Sequence, residues 1–225
     1  MSININSVQY KIIKKLGEGS FGKVYQVIKE KNYAIKEISI ANKTQNEIHN
    51  TKNEAVILSR INNKYIVKYY DSYQDKEYFK ILMEYCEGTD LRKFINNHKN
   101  KNELIDEKII YKIVFQLYIG LRYIHKNKLI HRDLKPENIF LNSNNENKIG
   151  DFGITKQLYL GNNYANTFTG TLLYMAPEEL NNQKYNNKVD IWALGCIIYE
   201  LLTLNICFES NGLPDLINKI NKRPH

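Results

Sequence analysis

The chain opens with short runs in which apolar and polar residues alternate, the pattern of strands with one buried face. Three such runs cover residues 10–16, 24–28 and 33–40. Turn-forming residues at 30–32 separate the second run from the third. The pattern therefore predicts three consecutive antiparallel strands.

The period of the apolar positions then changes to that of a helix, with apolar residues at Ile48, Val56, Leu58 and Ile61. Residues 66–73 and 78–85 return to the strand pattern, and beyond Asp90 the chain is mainly helical. The clearest amphipathic helix is predicted over residues 109–124. A strand-rich first part and a helix-rich second part predict an α+β fold with two lobes.

Three stretches rich in asparagine separate these periodic segments, at residues 96–102, 142–147 and 181–187. Asparagine clusters are typical of turns and loops, so all three are predicted to be surface loops. With 225 residues, of which 43% are hydrophobic, the chain has enough apolar material for one domain with a sizeable core.

The net charge and the cysteine content limit which binding partners and which cellular compartment we expect for this chain. The formal charge of +8 would suit an anionic partner, but the lysines are scattered, and we expect no nucleic-acid partner. Cys86, Cys196 and Cys207 are odd in number and lack the spacing of metal ligands. Together with an N-terminus that lacks the pattern of a signal peptide, they predict a reducing compartment, cytoplasmic or nuclear.

One apolar segment, residues 191–208, approaches the length of a membrane-spanning helix. It contains Glu200 and the Gly195–Cys196 pair, and it directly follows polar residues. A helix buried inside a soluble lobe explains this segment better, so we expect no membrane span.

A glycine cluster lies between the first two predicted strands, at Gly17, Gly19 and Gly22. The same spacing marks dinucleotide-binding sites, where the third glycine opens a helix. Here Gly22 is followed by a strand pattern that includes Val24, which favours a hairpin that folds over phosphate groups.

A lysine interrupts the apolar pattern of the third predicted strand. An unpaired ammonium group inside an apolar strand would cost several kcal/mol, so Lys36 needs anions. The carboxylate of Glu54, on the following helix, and the phosphates of a nucleotide would provide them. A surface lysine whose aliphatic part covers apolar groups is the alternative.

Three motifs follow one another in the second half of the chain. They are His131-Arg132-Asp133-Leu134-Lys135-Pro136-Glu137-Asn138, Asp151-Phe152-Gly153 and Ala176-Pro177-Glu178. In this order and spacing they resemble the signature motifs of the eukaryotic protein kinases, and the resemblance extends from about Tyr10 to the end of the chain. The Lys-Pro-Glu-Asn part of the first motif is similar to the serine/threonine branch of that family.

The resemblance implies transfer of the γ-phosphoryl group of ATP to serine or threonine of protein substrates, with Mg²⁺ as cofactor. Asn138 and Asp151 match the family's magnesium ligands. Asp133 matches the base that accepts or orients the proton of the substrate hydroxyl, and Lys135 would neutralise the γ-phosphate.

For ATP binding, the resemblance adds positions in the first part of the chain. Lys36 paired with Glu54 would hold the α- and β-phosphates and complete the catalytic set. The segment whose backbone pairs with the adenine edge falls at Met83, Glu84 and Cys86, with Met83 at the gatekeeper position. The residues that match the two sides of the adenine ring, each of which could equally be ordinary core, are Val24, Ala34 and Phe140.

The segment from Asp151 to Glu178 resembles an activation loop. Thr171 matches the threonine that contacts the catalytic aspartate and lysine, and Thr167 matches the usual phosphosite. A phosphate of about −2 charge on Thr167 could pair with Arg132 and order the loop. A solvated loop threonine is the alternative at Thr167.

Within the family, the chain is similar to the NIMA-related kinases. Residues 151–156, 185–196 and 202–204 carry the similarity, while Leu172 stands where that group usually has proline. Kinases of translation initiation factors share parts of the catalytic loop and are the alternative subfamily.

The resemblance predicts one protein kinase domain over residues 1–225. It consists of a small, antiparallel β-rich N-lobe with one helix at residues 10–85 and a larger, mainly helical C-lobe at 86–225. Family members continue with further helices past residues 212–221, so we expect a truncated C-lobe that lacks its last helices. The alternative to an active enzyme is a truncated or non-catalytic kinase-like protein that binds a nucleotide or a partner, and the sequence leaves the oligomeric state open.

Overall fold

The structure, a computed structural model, describes residues 1–19, 22–41, 43–151, 170–181 and 183–222. The described residues divide into two compact units, one formed by Met1–Cys86 and the other by the residues from Glu87 onward. The first unit is built on a β-sheet and the second mainly on helices.

The first unit is a six-stranded antiparallel sheet with one helix. Its strands are β1 (Ser2–Ile5), β2 (Val8–Gly19), β3 (Gly22–Ile28), β4 (Asn32–Ser39), β5 (Tyr69–Gln74) and β6 (Tyr78–Glu84). They lie in the order β1-β2-β3-β4-β6-β5, and helix α1 (Gln45–Ser59) connects β4 to β5. The strands predicted over residues 10–16, 24–28 and 33–40 are confirmed as β2, β3 and β4.

The strand β1 is absent from the prediction. It pairs antiparallel with β2, and its Ile3 and Ile5 are buried. The other buried members of this core are Tyr10, Val27, Ile35 and Leu82. Four residues are too few to show a clear alternation of apolar and polar positions in the sequence. The strand is therefore recognised only in the folded chain, where its two isoleucines are buried.

Helix α1 begins with a capping box. The hydroxyl of Thr44 accepts a hydrogen bond from the backbone N–H of Glu47 at 3.3 Å, and Glu47 Oε2 accepts one from the backbone N–H of Thr44 at 2.8 Å. The helix ends at Ser59, so Ile61 lies beyond it, although its side chain is buried.

Helices dominate the second unit. They are α2 (Leu91–Lys101), α3 (Glu107–Lys126), α4 (Pro177–Leu180), α5 (Lys188–Thr203) and α6 (Leu213–Asn221). The same unit contains a hairpin of β7 (Ile139–Leu141) and β8 (Asn147–Ile149) and the 3₁₀ turns Pro136–Asn138 and Gly170–Tyr174. The amphipathic helix predicted over residues 109–124 is confirmed within α3.

The prediction of a surface loop at residues 96–102 is wrong, because α2 runs through most of it. The side chain of Asp90 caps the helix by accepting a hydrogen bond from a backbone N–H of the first turn at 2.8 Å. Asn102 ends the helix in the left-handed conformation, with a φ of 54°. Leu91 and Ile95 bury the apolar face, so the asparagines lie on a helix that is stabilised by its caps and its packing.

The apolar segment 191–208 forms most of α5 and the turn after it. Val189, Ile197 and Leu201 are buried on this helix, together with the carboxylate-bearing Glu200. Across the part of the chain that the structure describes, no helix combines the length and the apolar character that a membrane span requires.

Candidate functional site

The predicted glycine hairpin joins β2 to β3. The two strands stay paired up to Gly19 opposite Gly22, and the intervening Ser20 and Phe21 lie outside the described residues. Gly22 has a φ of 124°, and a Cβ atom there would lie 1.9 Å from the carbonyl oxygen of Glu37. The chain needs glycine at this point because any side chain would collide with the backbone of β4.

Gly17 differs from Gly22 in its surroundings. It lies opposite Val24, and a Cβ atom on Gly17 would have no described atom within 4 Å. Packing among the described residues therefore does not require glycine at position 17, whereas a ligand that approaches the backbone closely would.

One face of the sheet carries the predicted nucleotide-binding side chains of the first unit. Val24 lies opposite Lys36, and Ala34 lies opposite Met83. Since directly opposed residues and residues two apart along a strand point to the same face, these four side chains share one face. Lys36 is only 6% exposed, and an ammonium group buried to this extent needs anionic partners.

The other face of the same strands carries the hydrophobic core. Ile35 and Leu82 are opposed on β4 and β6, and both are buried. The alternation along β4 thus separates the core residue Ile35 from the neighbouring site residues Ala34 and Lys36.

The end of β6 holds the predicted adenine-binding backbone. The backbone N–H of Glu84 donates to the carbonyl of Lys68 at 2.8 Å, and the Glu84 carboxylate accepts the backbone N–H of Lys68 at 3.1 Å. These bonds tie the end of β6 to the segment before β5. Cys86, the last described residue of the first unit, is partly buried.

In the second unit, the predicted catalytic groups lie in one loop. The side-chain nitrogen of Asn138 donates to the backbone carbonyl of Asp133 at 2.8 Å and to its Oδ2 at 2.9 Å. Lys135 Nζ lies 3.1 Å from the same Oδ2. Asn138 is 4% exposed, and the fold brings an ammonium group and an amide within hydrogen-bond distance of one carboxylate oxygen.

This loop is held by Asp190, a residue that lies outside the three motifs at 131–138, 151–153 and 176–178. Its Oδ1 accepts the backbone N–H of Arg132 at 3.0 Å, and its Oδ2 accepts that of His131 at 2.9 Å and lies 2.7 Å from Nε2 of His125. Burial alone would raise the pKa of Asp190, but these contacts hold it below its ordinary value. In the sequence, Asp190 directly precedes the apolar run 191–208 and lies within segment 185–196, which resembles the NIMA-related kinases.

Asp151 directly follows Gly150, whose backbone is paired with that of Asn138. The backbone N–H of Gly150 donates to the carbonyl of Asn138 at 2.9 Å, and the carbonyl of Gly150 lies 2.9 Å from Nε2 of His131. Asp151 itself has a φ of 51°, in the left-handed region that residues with side chains rarely adopt. Such conformations cluster at functional sites, where surrounding contacts maintain them.

Phe140, which was predicted to flank the adenine ring, lies on β7 opposite Lys148 of β8. It also forms an isolated antiparallel bridge with Asp90, and it is partly buried. The remaining predicted site groups lie outside the described residues, namely the whole of Thr167 and the side chains of Glu54 and Thr171. Their roles stay predictions.

The chain matches the protein kinase domain family over residues 10–223. Serine/threonine-protein kinase Nek5 of Homo sapiens is 41% identical over 216 residues, which cover 94% of this chain and 30% of the relative. Probable serine/threonine-protein kinase nek2 of Dictyostelium discoideum is 39% identical over 220 residues, which cover 94% of this chain and 52% of the relative. The chain thus spans about half or less of the length of these curated relatives.

A solved structure is also similar to the chain. It is the crystal structure of Rad53 residues 1–466 in complex with AMP-PNP, with a TM-score of 0.79 and 31% sequence identity. The similarity covers 95% of this chain and 53% of that one. It extends over the β-rich and the helical parts of the chain alike.

Proposed function

The chain belongs to the protein kinase family, with NIMA-related serine/threonine kinases among its relatives, and on that premise we propose that it transfers the γ-phosphoryl group of ATP to serine or threonine of proteins. The observation that carries the proposal is the cluster of Asp133, Lys135 and Asn138. Asp133 Oδ2 lies 2.9 Å from the Asn138 amide nitrogen and 3.1 Å from Lys135 Nζ. A carboxylate fixed by two donors is suited to orient a hydroxyl group for attack on phosphorus.

In the proposed reaction, the hydroxyl oxygen of the substrate forms a bond to the γ-phosphorus, and the bond from that phosphorus to the β–γ bridging oxygen breaks. ADP leaves with the electron pair of the broken bond. The hydroxyl proton passes to the carboxylate of Asp133 and from there to solvent. The ammonium group of Lys135 neutralises charge on the oxygens of the transferred phosphoryl group, which favours the transition state over the ground state.

The residues present fit a magnesium ion. Because the Asn138 amide nitrogen donates to Asp133, its amide oxygen is directed to the other side, where a hard cation could accept it as a ligand. Asp151 adds a carboxylate one position after Gly150, whose backbone is paired with that of Asn138. Asn138 and Asp151 would hold the ion, which when bound neutralises and orients the phosphate oxygens of ATP.

The first unit contributes the nucleotide-binding residues in this proposal. Lys36 would pair with the α- and β-phosphates, and Val24, Ala34 and Met83 on the same face of the sheet would contact the adenine ring. The open position next to the Gly17 backbone supports close approach of phosphate.

We also propose a cytoplasmic or nuclear location. The odd number and wide spacing of Cys86, Cys196 and Cys207 support a reducing compartment. Fractionation of cells that express the tagged protein tests this, and recovery in a secreted fraction would contradict it. The expected absence of a nucleic-acid partner stays a prediction.

The experiment that tests the function measures transfer of labelled phosphate from MgATP to a generic acceptor protein. Asp133→Asn is expected to reduce the rate by about 10²–10⁴-fold, because it removes the proton acceptor. Asp215 is an exposed aspartate on α6. Its substitution Asp215→Asn is the matched control, and this variant should transfer phosphate at the wild-type rate.

Thermal unfolding with and without MgATP accompanies the rate measurement. A raised melting temperature and transfer that depends on Asp133 are the expected results. A folded chain that binds the nucleotide but transfers no phosphate would contradict the kinase proposal and leave a nucleotide-binding protein.

A further inference from the structure

The longest described helix of the second unit, α3, exposes a row of aromatic side chains. Tyr111, Phe115 and Tyr118 follow one another at spacings of four and three residues, so they lie along one face of the helix. Their exposed fractions are 72%, 49% and 49%. The rings of Tyr111 and Phe115 stack on each other, with centroids 6.3 Å apart and an angle of 14° between the ring planes. The aromatic row therefore presents apolar surface to solvent over about two turns of the helix.

The opposite face of α3 is already packed. Its buried residues include Ile113, Leu117 and Leu121, and the helix lies against β8 and α5. This apolar stripe is what an amphipathic helix needs in order to join the core of a soluble domain. The aromatic row lies outside the stripe, so the core formed by the described residues does not account for it.

The exposed face of α3 also carries four cations. Lys108, Lys112 and Arg122 each lie three or four residues from a member of the aromatic row, and Lys126 lies four residues beyond Arg122. After Glu107, the helix contains no acidic residue. Across the described residues, none of the four cations forms an ion pair. The face therefore combines apolar surface with positive charge that the described part of the chain does not neutralise.

The stability of the helix does not explain these cations. Lys108 and Lys112 are like charges four residues apart, and so are Arg122 and Lys126, and such pairs destabilise a helix. Lys108 also lies in the first turn, where the helix dipole favours anions, and only Lys126, in the last turn, suits the dipole. A negatively charged partner would turn this unfavourable arrangement into a favourable one.

The chemistry of the face favours one kind of partner, an acidic amphipathic helix. Apolar side chains spaced three and four residues apart would pack along the aromatic row, and carboxylates beside them would meet the flanking cations. A second copy of the chain fits less well, because two such faces bring like charges together and each chain carries +8. Nucleic acid also fits less well, since the stacked rings of Tyr111 and Phe115 have fewer free faces for bases.

We propose that the exposed face of α3 is a docking surface for an acidic amphipathic helix of a partner protein. The α3 face consists of Lys108, Tyr111, Lys112, Phe115, Tyr118, Arg122 and Lys126. Helix α5 and strand β8, which lead to the catalytic loop and to Asp151, lie against the other side of α3. A docked helix would therefore leave the cluster around Asp133 accessible, and the proposal does not depend on the proposed kinase activity.

Fluorescence anisotropy with a labelled synthetic peptide tests the proposal. The probe is a helical peptide of about 20 residues, the length of α3, with leucines along one face and glutamates on the rest. Titration with the full chain in about 0.1 M salt should give saturable binding with a Kd on the order of 10 µM. Absence of binding at ten times this concentration would overturn the proposal.

A second peptide separates amphipathic recognition from attraction between net charges. It has the same composition, but its leucines are distributed evenly around the helix, so that it presents no apolar face. We expect it to bind at least about tenfold more weakly than the first peptide. Equal binding of the two peptides would contradict the proposal, because charge alone would then explain the attraction.

The contribution of the aromatic row is measured with a double substitution. Tyr111→Ser with Phe115→Ser removes two rings and is expected to weaken binding by about tenfold or more. Ile13 and Leu16 on β2 are 49% and 41% exposed. Ile13→Ser with Leu16→Ser is thus the matched control and should bind as wild type. Similar losses in the two double variants would place the peptide elsewhere than on α3.

The contribution of the cations is measured in the same way. Lys112→Glu with Arg122→Glu should weaken binding by about tenfold or more, and the loss should shrink as salt is added. Lys11→Glu with Lys29→Glu, at exposed positions of the first unit, changes the net charge by the same amount. This control should bind within about threefold of wild type. Equal losses would show attraction to the chain as a whole and would overturn the assignment to α3.

Hydroxyl-radical footprinting locates the peptide on wild type, so it decides the proposal even where a variant does not fold. Oxidation of Tyr111, Phe115 and Tyr118 should fall when the peptide is bound. Oxidation of Tyr185, which is 42% exposed and precedes α5, should stay the same. Unchanged oxidation of the aromatic row in the presence of saturating peptide would overturn the proposal.

Three further measurements test the other occupants of the face. Poly(U) RNA and vesicles with about 30% phosphatidylserine should bind more weakly than the peptide. Tighter binding of either that Lys112→Glu with Arg122→Glu abolishes would overturn the choice of a protein partner. A dimer in sedimentation analysis that Tyr111→Ser with Phe115→Ser abolishes would assign the face to a second copy instead. All these measurements omit ATP, so their failure is distinct from absence of Asp133-dependent phosphotransfer, which would overturn the proposed function.

Discussion

Asp190 accepts a hydrogen bond from the backbone N–H of Arg132 at 3.0 Å, across 58 positions of the chain. Arg132 has a φ of 67°, a left-handed conformation that is uncommon for a residue with a side chain. The buried carboxylate therefore satisfies a backbone group of a loop whose conformation needs outside support. Through this bond α5 holds the loop that carries Asp133.

Asp190→Asn is expected to lower the free energy of unfolding by about 2–4 kcal/mol near neutral pH, because an amide presents one acceptor where the carboxylate presents two. The pKa of Asp190 is lowered in the folded state. Its contribution is thus present above the unfolded value of about 3.9 and is lost as the pH falls through the folded pKa. Urea unfolding at pH values from about 7 to about 3 should show a difference from wild type that narrows below about pH 4.

The control for this pH dependence is Asp215→Asn. The pKa of Asp215 is also lowered, by its hydrogen bonds from Lys219 and the backbone of Asn211, but the group is exposed and its charge is screened by solvent. We expect no measurable change in stability. A difference between wild type and Asp190→Asn that stays constant down to the lowest pH would contradict the assignment to the Asp190 carboxylate.

Gly22→Ala and Gly17→Ala form a matched pair in the glycine hairpin. Alanine at position 22 would collide with the Glu37 carbonyl and adopt an unfavourable φ, so we expect a loss of more than about 2 kcal/mol of unfolding free energy. Alanine at position 17 meets open space and should change stability by less than about 0.5 kcal/mol. Chemical denaturation measures both, and equal losses would contradict the close approach of Gly22 to β4.

The Gly17→Ala variant also distinguishes an effect on nucleotide binding from an effect on the stability of the fold. If the Gly17 backbone approaches phosphate, the added methyl group should raise the KM for MgATP several-fold while the melting temperature stays the same. An unchanged KM would show that phosphate does not lie close to this residue.

Asn138→Ala is expected to reduce phosphotransfer by at least about 100-fold, because it removes an amide oxygen for the metal and the donor that orients Asp133. The Mg²⁺ concentration needed for half-maximal rate should rise in parallel. Asn97→Ala, an exposed asparagine on α2, is the control and should match wild type. A variant of Asn138 that is slower but has the wild-type Mg²⁺ requirement would limit Asn138 to orientation of Asp133.

Ile5→Ala tests whether β1 belongs to the core of the first unit. The side chain of Ile5 is 2% exposed, and its truncation should cost about 2–4 kcal/mol of unfolding free energy. Asn4→Ala, at the exposed position next to it on β1, should have little effect. Equal and small effects of the two substitutions would mean that β1 contributes little to the stability of the sheet.

Much of the candidate site could be predicted from sequence because its groups come from short motifs. Asp133, Lys135 and Asn138 lie within six consecutive positions, so a single loop brings them together. Strands β2 to β4 could be predicted for a similar reason, since the alternation of apolar positions is a local property. The asparagine stretch in α2 was misjudged because caps and buried neighbours override the propensity of individual residues.

Motifs and apolar periodicity predict the candidate catalytic residues and the order of most strands and helices, because both depend on neighbouring positions. Two long-range contacts became visible in the folded chain alone: Asp190 holds the loop before Asp133, and Arg92 reaches Glu200 across 108 positions. Such pairs leave no local pattern. They form because a buried charge must meet an opposite charge or hydrogen-bond donors, and the folded environment alone decides which charges become buried.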